Sequence, residues 1–212
     1  MRKIVKDRHD HILEYCRGET VLHLGCIGAG YRSTSPYQPW LHKEICDVAK
    51  ECVGIDIDQG RIKEAEKRCG SRIVYGDVSA FDLGRKFDVI VAGDIIEHLD
   101  NFRSFFDSNK KHMRDNSLLI ITTANPFGLS NIVRVVLFGR PTEDPDHVVY
   151  FDLFTLTQML RMNGMRVKAH YYGTEVAVQR VRNIIVRGLG RIWPIYNFNF
   201  MVVAEKRKKG DE

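Results

Sequence analysis

The 212-residue sequence lacks several features that would place it in a special class. It has no run of about 18 apolar residues, the length that a membrane-spanning helix needs. Residues 2–10 are rich in charge and lack the apolar core of a secretory signal peptide. The five cysteines form no CxxC pair, and their number is odd. The sequence therefore predicts neither a disulfide framework nor a zinc site, and a reducing, cytoplasmic location is expected.

The composition is that of an ordinary globular protein, with 44% hydrophobic and 28% charged residues. The net charge of +5 is too small to indicate nucleic-acid binding, which normally requires basic residues concentrated on one face. Without internal repeats or low-complexity linkers, residues 1–212 are expected to form a single domain. Residues 124–150 and 174–196 are predicted to be acceptor-side or surface insertions, and 206–212 a basic and then acidic tail.

Short apolar segments alternate with helical patterns along the chain. This rhythm is typical of βαβ units and predicts a doubly wound, mostly parallel α/β sheet with helices on both faces. The predicted strands are Thr20–Leu24, Cys52–Ile57, Arg72–Tyr75, Phe87–Ala92, Ser117–Thr123, Arg166–Tyr172 and Asn197–Glu205. The predicted helices are 3–16, Trp40–Lys50, Gly60–Cys69, Asn101–Met113, 129–140 and Phe154–Met162.

Three motifs follow the ends of successive predicted strands. The first, residues 24–30 (LGCIGAG), is a glycine-rich loop that lets the backbone approach a ligand closely. Alone, it also fits plain turn chemistry or a nucleotide site of another class. The second, GIDID, places Asp56 where a carboxylate can accept hydrogen bonds from both hydroxyls of a ribose, as in a dinucleotide fold. The third, GDVSAF, places Asp77 where it can accept a bond from an adenine amino group.

Two further motifs complete an ordered set: FDVIVAGDIIEHL at 87–99 and LLIITTANP at 118–126. Over residues 20–126 the set resembles that of class I S-adenosylmethionine-dependent methyltransferases. Its Glu-His pair after the fourth predicted strand is most similar to the branch with ubiquinone-biosynthesis O-methyltransferases and small-molecule and glycan methyltransferases. The resemblance implies a seven-stranded sheet with the last strand antiparallel, S-adenosylmethionine as cofactor, and a transferase reaction.

The resemblance also implies which residues bind the donor. They comprise a loop under its methionine part, an acid on its ribose, three residues around its adenine, and a segment beside its methionine end. In that order they are Gly25, Cys26 and Gly28; Asp56; Ile57, Asp77 and Val78; and Gly93 with Asp94. Two positions depart from the family pattern, with His23 where an acid is usual and Ile27 where a glycine is usual.

Residues outside the donor motifs suggest the rest of the chemistry. His147, in the connection after the fifth predicted strand, is the candidate general base, because an imidazole titrates near neutral pH; the alternative is a structural histidine. Asn125, Pro126 and Phe127 are the candidate acceptor pocket. No metal site is predicted, with Asp94, Glu97 and His98 as the alternative, since carboxylates and imidazole suit a divalent ion.

Two segments combine apolar residues with interleaved arginine, at 129–140 and 180–193. Each is interpreted either as a helix packed within the protein or as a peripheral contact with an anionic membrane surface. We therefore expect methyl transfer to an oxygen of a small-molecule, glycan or lipid-linked acceptor. The alternatives are an RNA or protein methyltransferase, and an inactive partner protein that retains the fold. The sequence carries no strong nucleic-acid signal and leaves the oligomeric state open.

Overall fold

The computed structural model describes residues 3–5, 8–32, 39–140, 145–173, 195 and 197–207. Within these residues, eight strands form one sheet. They are β1 (Lys3–Val5), β2 (Thr20–Leu24), β3 (Glu51–Asp56), β4 (Arg72–Tyr75), β5 (Phe87–Gly93), β6 (Met113–Ala124), β7 (Met165–Gly173) and β8 (Asn199–Lys206). Their spatial order is β1-β7-β8-β6-β5-β2-β3-β4.

All strand pairs are parallel except those of β8, which lies antiparallel between β6 and β7. The predicted doubly wound sheet with an antiparallel last strand is thus confirmed, and β1 adds a three-residue strand beside β7. From β2 the chain proceeds outward through β3 and β4, and then returns to place β5 on the other side of β2. Ligands of open α/β sheets bind at such a reversal, beyond the carboxyl ends of the strands.

Helices cover both faces of the sheet. They are α1 (Arg8–Cys16), α2 (Ala29–Arg32), α3 (Leu41–Val48), α4 (Gln59–Cys69), α5 (Phe102–His112), α6 (Leu129–Phe138) and α7 (Leu153–Met162), with a 3₁₀ turn at Ile96–His98. Helix α5 begins at Asn101, whose side chain accepts a hydrogen bond from the Ser104 amide. Helix α7 begins with a capping box between Asp152 and Thr155.

The apolar runs of the central strands pack on both sides. In β5, Ile90 and Ala92 join the core beneath α5 and α7, whereas Val89 and Val91 join the core beneath α1 and α3. Because successive side chains of a strand point to opposite faces, a strand buried on both faces must be apolar at every position. This explains the continuous hydrophobic run from Val89 to Ala92 in β5.

The structure corrects two predicted elements. Residues 3–5 form β1 and not the start of a helix, so the N-terminal helix begins at Arg8 and not at residue 3. Strand β6 begins at Met113, four residues before the predicted start, because Met113 pairs with Phe87 across a register shift. Most of the predicted 174–196 insertion, including 180–193, and residues 208–212 of the tail lie outside the described residues. No described helix has the length and apolar character needed to cross a bilayer.

Candidate functional site: a cofactor edge at the carboxyl ends of β2 to β5

The glycine-rich loop after β2 is shaped by its backbone. Gly25 has φ +65°, and a Cβ there would lie 2.8 Å from Ile95 Cδ1. The amides of Gly25 and Cys26 both donate to the Ile55 carbonyl, at 2.9 and 3.3 Å, which turns the loop over the end of β3. Gly28 is exposed. The loop therefore presents backbone and little side-chain bulk to the edge of the sheet.

Ile27 explains how the loop tolerates a residue where the family usually has glycine. Its side chain is buried with Tyr31 and Trp40, and it therefore does not lie over the edge of the sheet. The Trp40 indole donates to the Cys26 carbonyl at 2.6 Å and fixes the loop from the same side. The other departure, His23, is buried and hydrogen-bonds His42 at 3.2 Å.

Asp56 is the best-defined side chain of the edge. One carboxylate oxygen accepts from the Ile27 amide at 2.7 Å, and the other accepts from the Asp58 amide at 2.9 Å. A carboxylate has about four lone-pair sites, so each oxygen retains one for a further donor. This carboxylate is therefore held in place and can still accept from two hydroxyls on adjacent carbons.

The next strand ends supply an apolar and a polar group. Ile57 follows Asp56 with 69% of its side chain exposed, although it is a large aliphatic residue. Asp77, after β4, is exposed and accepts a hydrogen bond from the Ser79 amide at 2.7 Å, while Val78 is buried. The arrangement offers an apolar surface and a fixed acceptor to a planar heterocycle.

Gly93 and Asp94 end β5 on the other side of β2. Asp94 has φ +49°, a value that few residues other than glycine adopt. Its carboxylate accepts from the Thr122 hydroxyl at 3.0 Å and forms a two-pronged ion pair with Arg8, at 2.7 and 2.5 Å. Asp94 is half-buried, and this partial burial opposes its ionisation, but the Arg8 charge and the Thr122 hydrogen bond outweigh it and lower its pKa.

Sequence reasoning missed Arg8. It lies 86 positions before Asp94, at the start of a helix that was predicted only as a helix. A lone arginine in a charged N-terminal segment gives no signal of such a pairing. The structure shows that α1 contributes Arg8 to the edge of the sheet where Asp94 lies.

Glu97 is buried in the 3₁₀ turn. Burial, together with the neighbouring charge of Asp94, raises its pKa to about 7. In the part of the chain that the structure describes, its Oε2 has no hydrogen-bond partner. Its backbone carbonyl accepts from the amides of Val148 and Val149, at 2.9 and 3.3 Å, and so fixes the connection that precedes α7.

The alternative metal site at Asp94, Glu97 and His98 is not assembled. Asp94 is paired with Arg8, and His98 Nδ1 lies 3.0 Å from the Asp146 carbonyl. Among the described residues, the three side chains whose donor atoms lie within 4.8 Å of one another are His42, Cys46 and Cys52. That group lies elsewhere in the fold.

His147 lies beside the 3₁₀ turn. Its ring centroid is 4.8 Å from that of His98, nearly perpendicular to it, and 6.1 Å from that of Tyr150. The bonds from Val148 and Val149 to Glu97 hold the backbone on one side of His147. The structure thus brings the candidate base into the neighbourhood of Glu97 and His98.

Asn125 has a structural task. Its side-chain nitrogen donates to the backbone carbonyls of Ile195 and Asn197, at 2.6 and 2.8 Å. Its side-chain oxygen accepts from the Phe127 backbone amide. The side chain is 2% exposed, and its amide is used in tying the end of β6 to the segment before β8. Phe127, in contrast, is 47% exposed. Of the predicted acceptor-pocket residues, Phe127 therefore presents the most surface.

Comparison with known proteins agrees with this geometry. The profile of the family described as "Methyltransferase domain" matches residues 7–170. The chain therefore belongs to that family, and its sheet has the class I S-adenosylmethionine-dependent methyltransferase arrangement. The predicted family and the predicted S-adenosylmethionine cofactor class are confirmed at this level.

Individual relatives are distant. The chain is 26% identical over 104 residues to the (S)-coclaurine N-methyltransferase of Papaver somniferum, covering 49% of this chain and 29% of that protein. It is 25% identical over 115 residues to a ubiquinone biosynthesis O-methyltransferase of Azorhizobium caulinodans, covering 51% and 42%. The chain thus spans less than half the length of these relatives. A SAM-dependent methyltransferase from Archaeoglobus fulgidus shares the fold, with a TM-score of 0.63, 20% identity, and 94% and 91% of the two chains covered.

Proposed function

We propose that this protein transfers a methyl group from S-adenosylmethionine to an oxygen of a small-molecule, glycan or lipid-linked acceptor. The observation that carries the proposal is the Asp56 carboxylate, which two backbone amides hold and which retains an acceptor site on each oxygen. Beside it, Ile57 offers an exposed apolar surface for the adenine ring. These residues fit an adenosyl group, which needs a vicinal-diol acceptor next to an apolar contact.

The bound donor supplies a methyl group that its sulfonium charge has already activated. The protein therefore acts mainly by positioning, because fixed proximity and orientation lower the barrier of a bimolecular step by several kcal/mol, up to roughly 10 kcal/mol. The loop at Gly25 and the segment at Gly93 place the methionine end of the donor at the reversal of strand order. The acceptor side is then formed by the connection that follows β6.

We assign proton removal from a hydroxyl acceptor to His147. The hydrogen bonds from Val148 and Val149 to the Glu97 carbonyl support this role, because they fix the backbone beside the imidazole. A His147→Gln variant is expected to lose 10²–10⁴-fold in kcat, the usual size of a general-base contribution. If kcat falls by this factor in a His98→Gln variant and stays near the parent value in His147→Gln, the base is instead His98.

Helix α6 supports an acceptor at a lipid surface. It follows Phe127 directly and leaves Val136, Leu137 and Phe138 between 66% and 79% exposed, with Arg134 and Arg140 close by in sequence. Exposed apolar side chains with flanking arginines favour adsorption to anionic membranes. We propose peripheral contact through 129–140, on a cytoplasmic protein; the companion segment 180–193 lies outside the described residues.

Sedimentation with vesicles tests the membrane contact. Vesicles containing phosphatidylserine should bind the protein, and vesicles of phosphatidylcholine alone should bind it less. Leu137→Asp should reduce binding because it places a charge in the apolar face, whereas Glu64→Gln on exposed α4 should leave it unchanged. Equal binding of the Leu137→Asp variant would contradict the assignment of α6.

Calorimetric titration with S-adenosylhomocysteine tests the donor site. The parent should bind, and Asp56→Ala should not bind measurably. Asp58→Ala is the matched control, since its carboxylate pairs with Arg61 on α4, and it should bind as the parent does. Because Asp56 also fixes the loop, Ile57→Ala provides a second variant whose exposed side chain does not support the fold. Ile57→Ala removes an aliphatic group that a bound adenine would half cover, so S-adenosylhomocysteine should bind about 1 kcal/mol, or roughly fivefold, more weakly.

Two results would contradict the donor assignment. One is a folded parent that does not bind S-adenosylhomocysteine, which would favour an inactive partner protein with the same fold. The other is an Asp56→Ala variant that binds as tightly as the parent, which would place the donor elsewhere. Retention on a nucleic-acid column that a nuclease abolishes would favour an RNA acceptor over the acceptors proposed here.

A further inference from the structure

A cluster of thiols and an imidazole lies between α3 and β3, away from the residues that the cofactor edge uses. We call His42, Cys46 and Cys52 the thiol–imidazole cluster. Their donor atoms, one from each residue, all lie within 4.8 Å of one another. The described residues include five free cysteines; Cys26 and Cys69 belong to the core on one side of Cys46, and Cys16 belongs to the same core as Cys52.

The backbone brings the three residues together for simple reasons. His42 and Cys46 are four residues apart on α3, so they lie one turn apart on the same face of the helix. Cys52 is buried on β3, the strand that follows α3. Gly54, two residues further along β3, leaves space for the ring, since a Cβ there would lie 3.1 Å from His42 Cε1.

The distances match those of a soft metal site. Cys52 Sγ lies 3.7 Å from His42 Nδ1. Tetrahedral zinc with Zn–S near 2.3 Å and Zn–N near 2.05 Å requires about 3.6 Å between sulfur and nitrogen. No large movement of these two side chains is needed for both to reach one ion.

A second layer of contacts orients the imidazole. His42 Nε2 lies 3.1 Å from the Ser71 hydroxyl, which also lies 3.1 Å from Cys46 Sγ. A metal-binding histidine normally gives its other N–H to such an acceptor, which leaves the first nitrogen free to coordinate. If Nε2 donates to Ser71, the lone pair of Nδ1 faces Cys52 and accepts a hydrogen bond from the buried His23, 3.2 Å away, which a bound ion would replace.

An entry path reaches the cluster from solvent. A cavity of about 650 Å³ lies at the amino ends of β3 and β4, opposite to the cofactor edge, and Cys46, Cys52, Cys69 and Ser71 line part of its wall. Of the cluster, Cys46 and Cys52 line this cavity, whereas His42 is fully buried and does not. A site closed by three protein ligands and open on the cavity side keeps one coordination position for solvent.

We propose that His42, Cys46 and Cys52 bind a single Zn²⁺ ion, with the fourth position on the side of the cavity. Two thiolates and one imidazole are ligands that zinc prefers over magnesium or calcium. The ion joins α3 to β3 below the loop that the cofactor edge uses. It therefore has a structural role that is independent of the proposed methyl transfer.

Metal uptake by the full chain is the first test. The reduced protein, stripped with a chelator and transferred to metal-free buffer, is titrated with Zn²⁺ against a chromophoric chelator, and in parallel with Co²⁺. We expect one ion per chain, and for Co²⁺ the visible bands of tetrahedral coordination together with a thiolate charge-transfer band. Bound zinc should also protect two thiols of the parent from alkylation, a readout that needs no variant.

Variants locate the ion. Cys46→Ser, at the cavity wall, is expected to lose at least about 100-fold in zinc affinity and to lose the charge-transfer intensity. Ser71→Ala, which removes the partner of His42 Nε2, should lose about 10–100-fold. Cys16→Ser is the matched control, because it changes a buried cysteine of the same core that is not a proposed ligand, and it should bind zinc as the parent does.

Four outcomes would overturn the proposal. Three are that the reduced parent takes up no zinc, that Cys46→Ser binds zinc as tightly as the parent, and that cobalt binds without thiolate charge transfer. The fourth is a disulfide between Cys46 and Cys52, seen in the mass spectrum as the loss of two hydrogen masses, without protection of these thiols by zinc. This result would show a redox pair in place of a metal site. Circular dichroism of each variant verifies that it is folded before its affinity is compared.

Discussion

Replacing Glu97 by glutamine should change how the stability of the protein depends on pH. Glutamine has nearly the same shape but cannot ionise. In the parent, burial and the Asp94 charge raise the pKa of Glu97 from 4.5 to about 7. Between these values the folded protein keeps the proton that the unfolded chain has already released. The contribution of Glu97 to stability is therefore full below pH 4.5 and is lost as pH rises through 7.

The size follows from the shift. One pKa unit corresponds to about 1.4 kcal/mol, so a rise from 4.5 to about 7 corresponds to a loss of about 3 kcal/mol between pH 4.5 and pH 8. Only 3% of Glu97 is exposed, so solvent screening reduces this value little. The Glu97→Gln variant does not experience the loss. Its stability relative to the parent should rise by about 3 kcal/mol over the same pH interval.

Urea unfolding at pH 5, 6, 7 and 8 measures the difference. The two proteins should unfold with the same m value, so that the change appears in the midpoint alone. Glu64→Gln, an exposed change of the same chemistry, should follow the parent at every pH. A Glu97→Gln curve that stays parallel to the parent from pH 5 to 8 would refute the reasoning, because it would show that Glu97 ionises as it does in the unfolded chain.

Three further variants test other contacts. Arg8→Gln should lower the free energy of unfolding by about 1 kcal/mol or less at pH 7, because Asp94 is partly exposed. The difference from the parent should shrink as pH falls below 3.8 towards the lowered pKa of Asp94, where this carboxylate becomes protonated. Urea midpoints at pH 7 and pH 3 test this. Gly54→Ala should destabilise the protein by about 1–3 kcal/mol, because the added Cβ would lie 2.5 Å from Cys26 Sγ. Gly76→Ala makes only ordinary contacts and should change stability by a few tenths of a kcal/mol. Thermal unfolding compares the two variants, and equal losses would contradict the packing argument. Asn125→Ala should cost roughly 1–3 kcal/mol, because it leaves buried carbonyls without a donor, and an unchanged midpoint would show that water replaces the amide.

Much of the sheet could be predicted from local pattern. The bounds of β2 and β4 agree with the sequence-based expectation, because polar turns bound both short runs; β2 is buried on both faces, whereas the edge strand β4 has exposed ends. Strand β1 could not be predicted, because three residues become a strand only when β7, more than 160 positions later, is beside them. The helical pattern of residues 8–16 extended over them and concealed the break.

The candidate site divides in the same way. Asp56 could be placed because the end of a parallel strand is a position that the sequence reveals. The pairing of Arg8 with Asp94 could not, since charge partners distant in sequence leave no pattern. The thiol–imidazole cluster was also missed. A zinc site is recognised in a sequence by a CxxC spacing, whereas here a helix face and a separate strand bring together His42, Cys46 and Cys52.

The position of β8 has a consequence for synthesis of the chain. Strand β8 fills the gap between β6 and β7, so β6 keeps an unpaired edge until residues 199–206 have been made. At ~5–20 residues per second, the roughly 75 residues between Ala124 and Asn199 take about 4–15 s to translate. During this interval the apolar edge of β6 is open to pairing with a neighbouring nascent chain. Translation that stops before β8 should therefore yield aggregated chains and not a partially active protein.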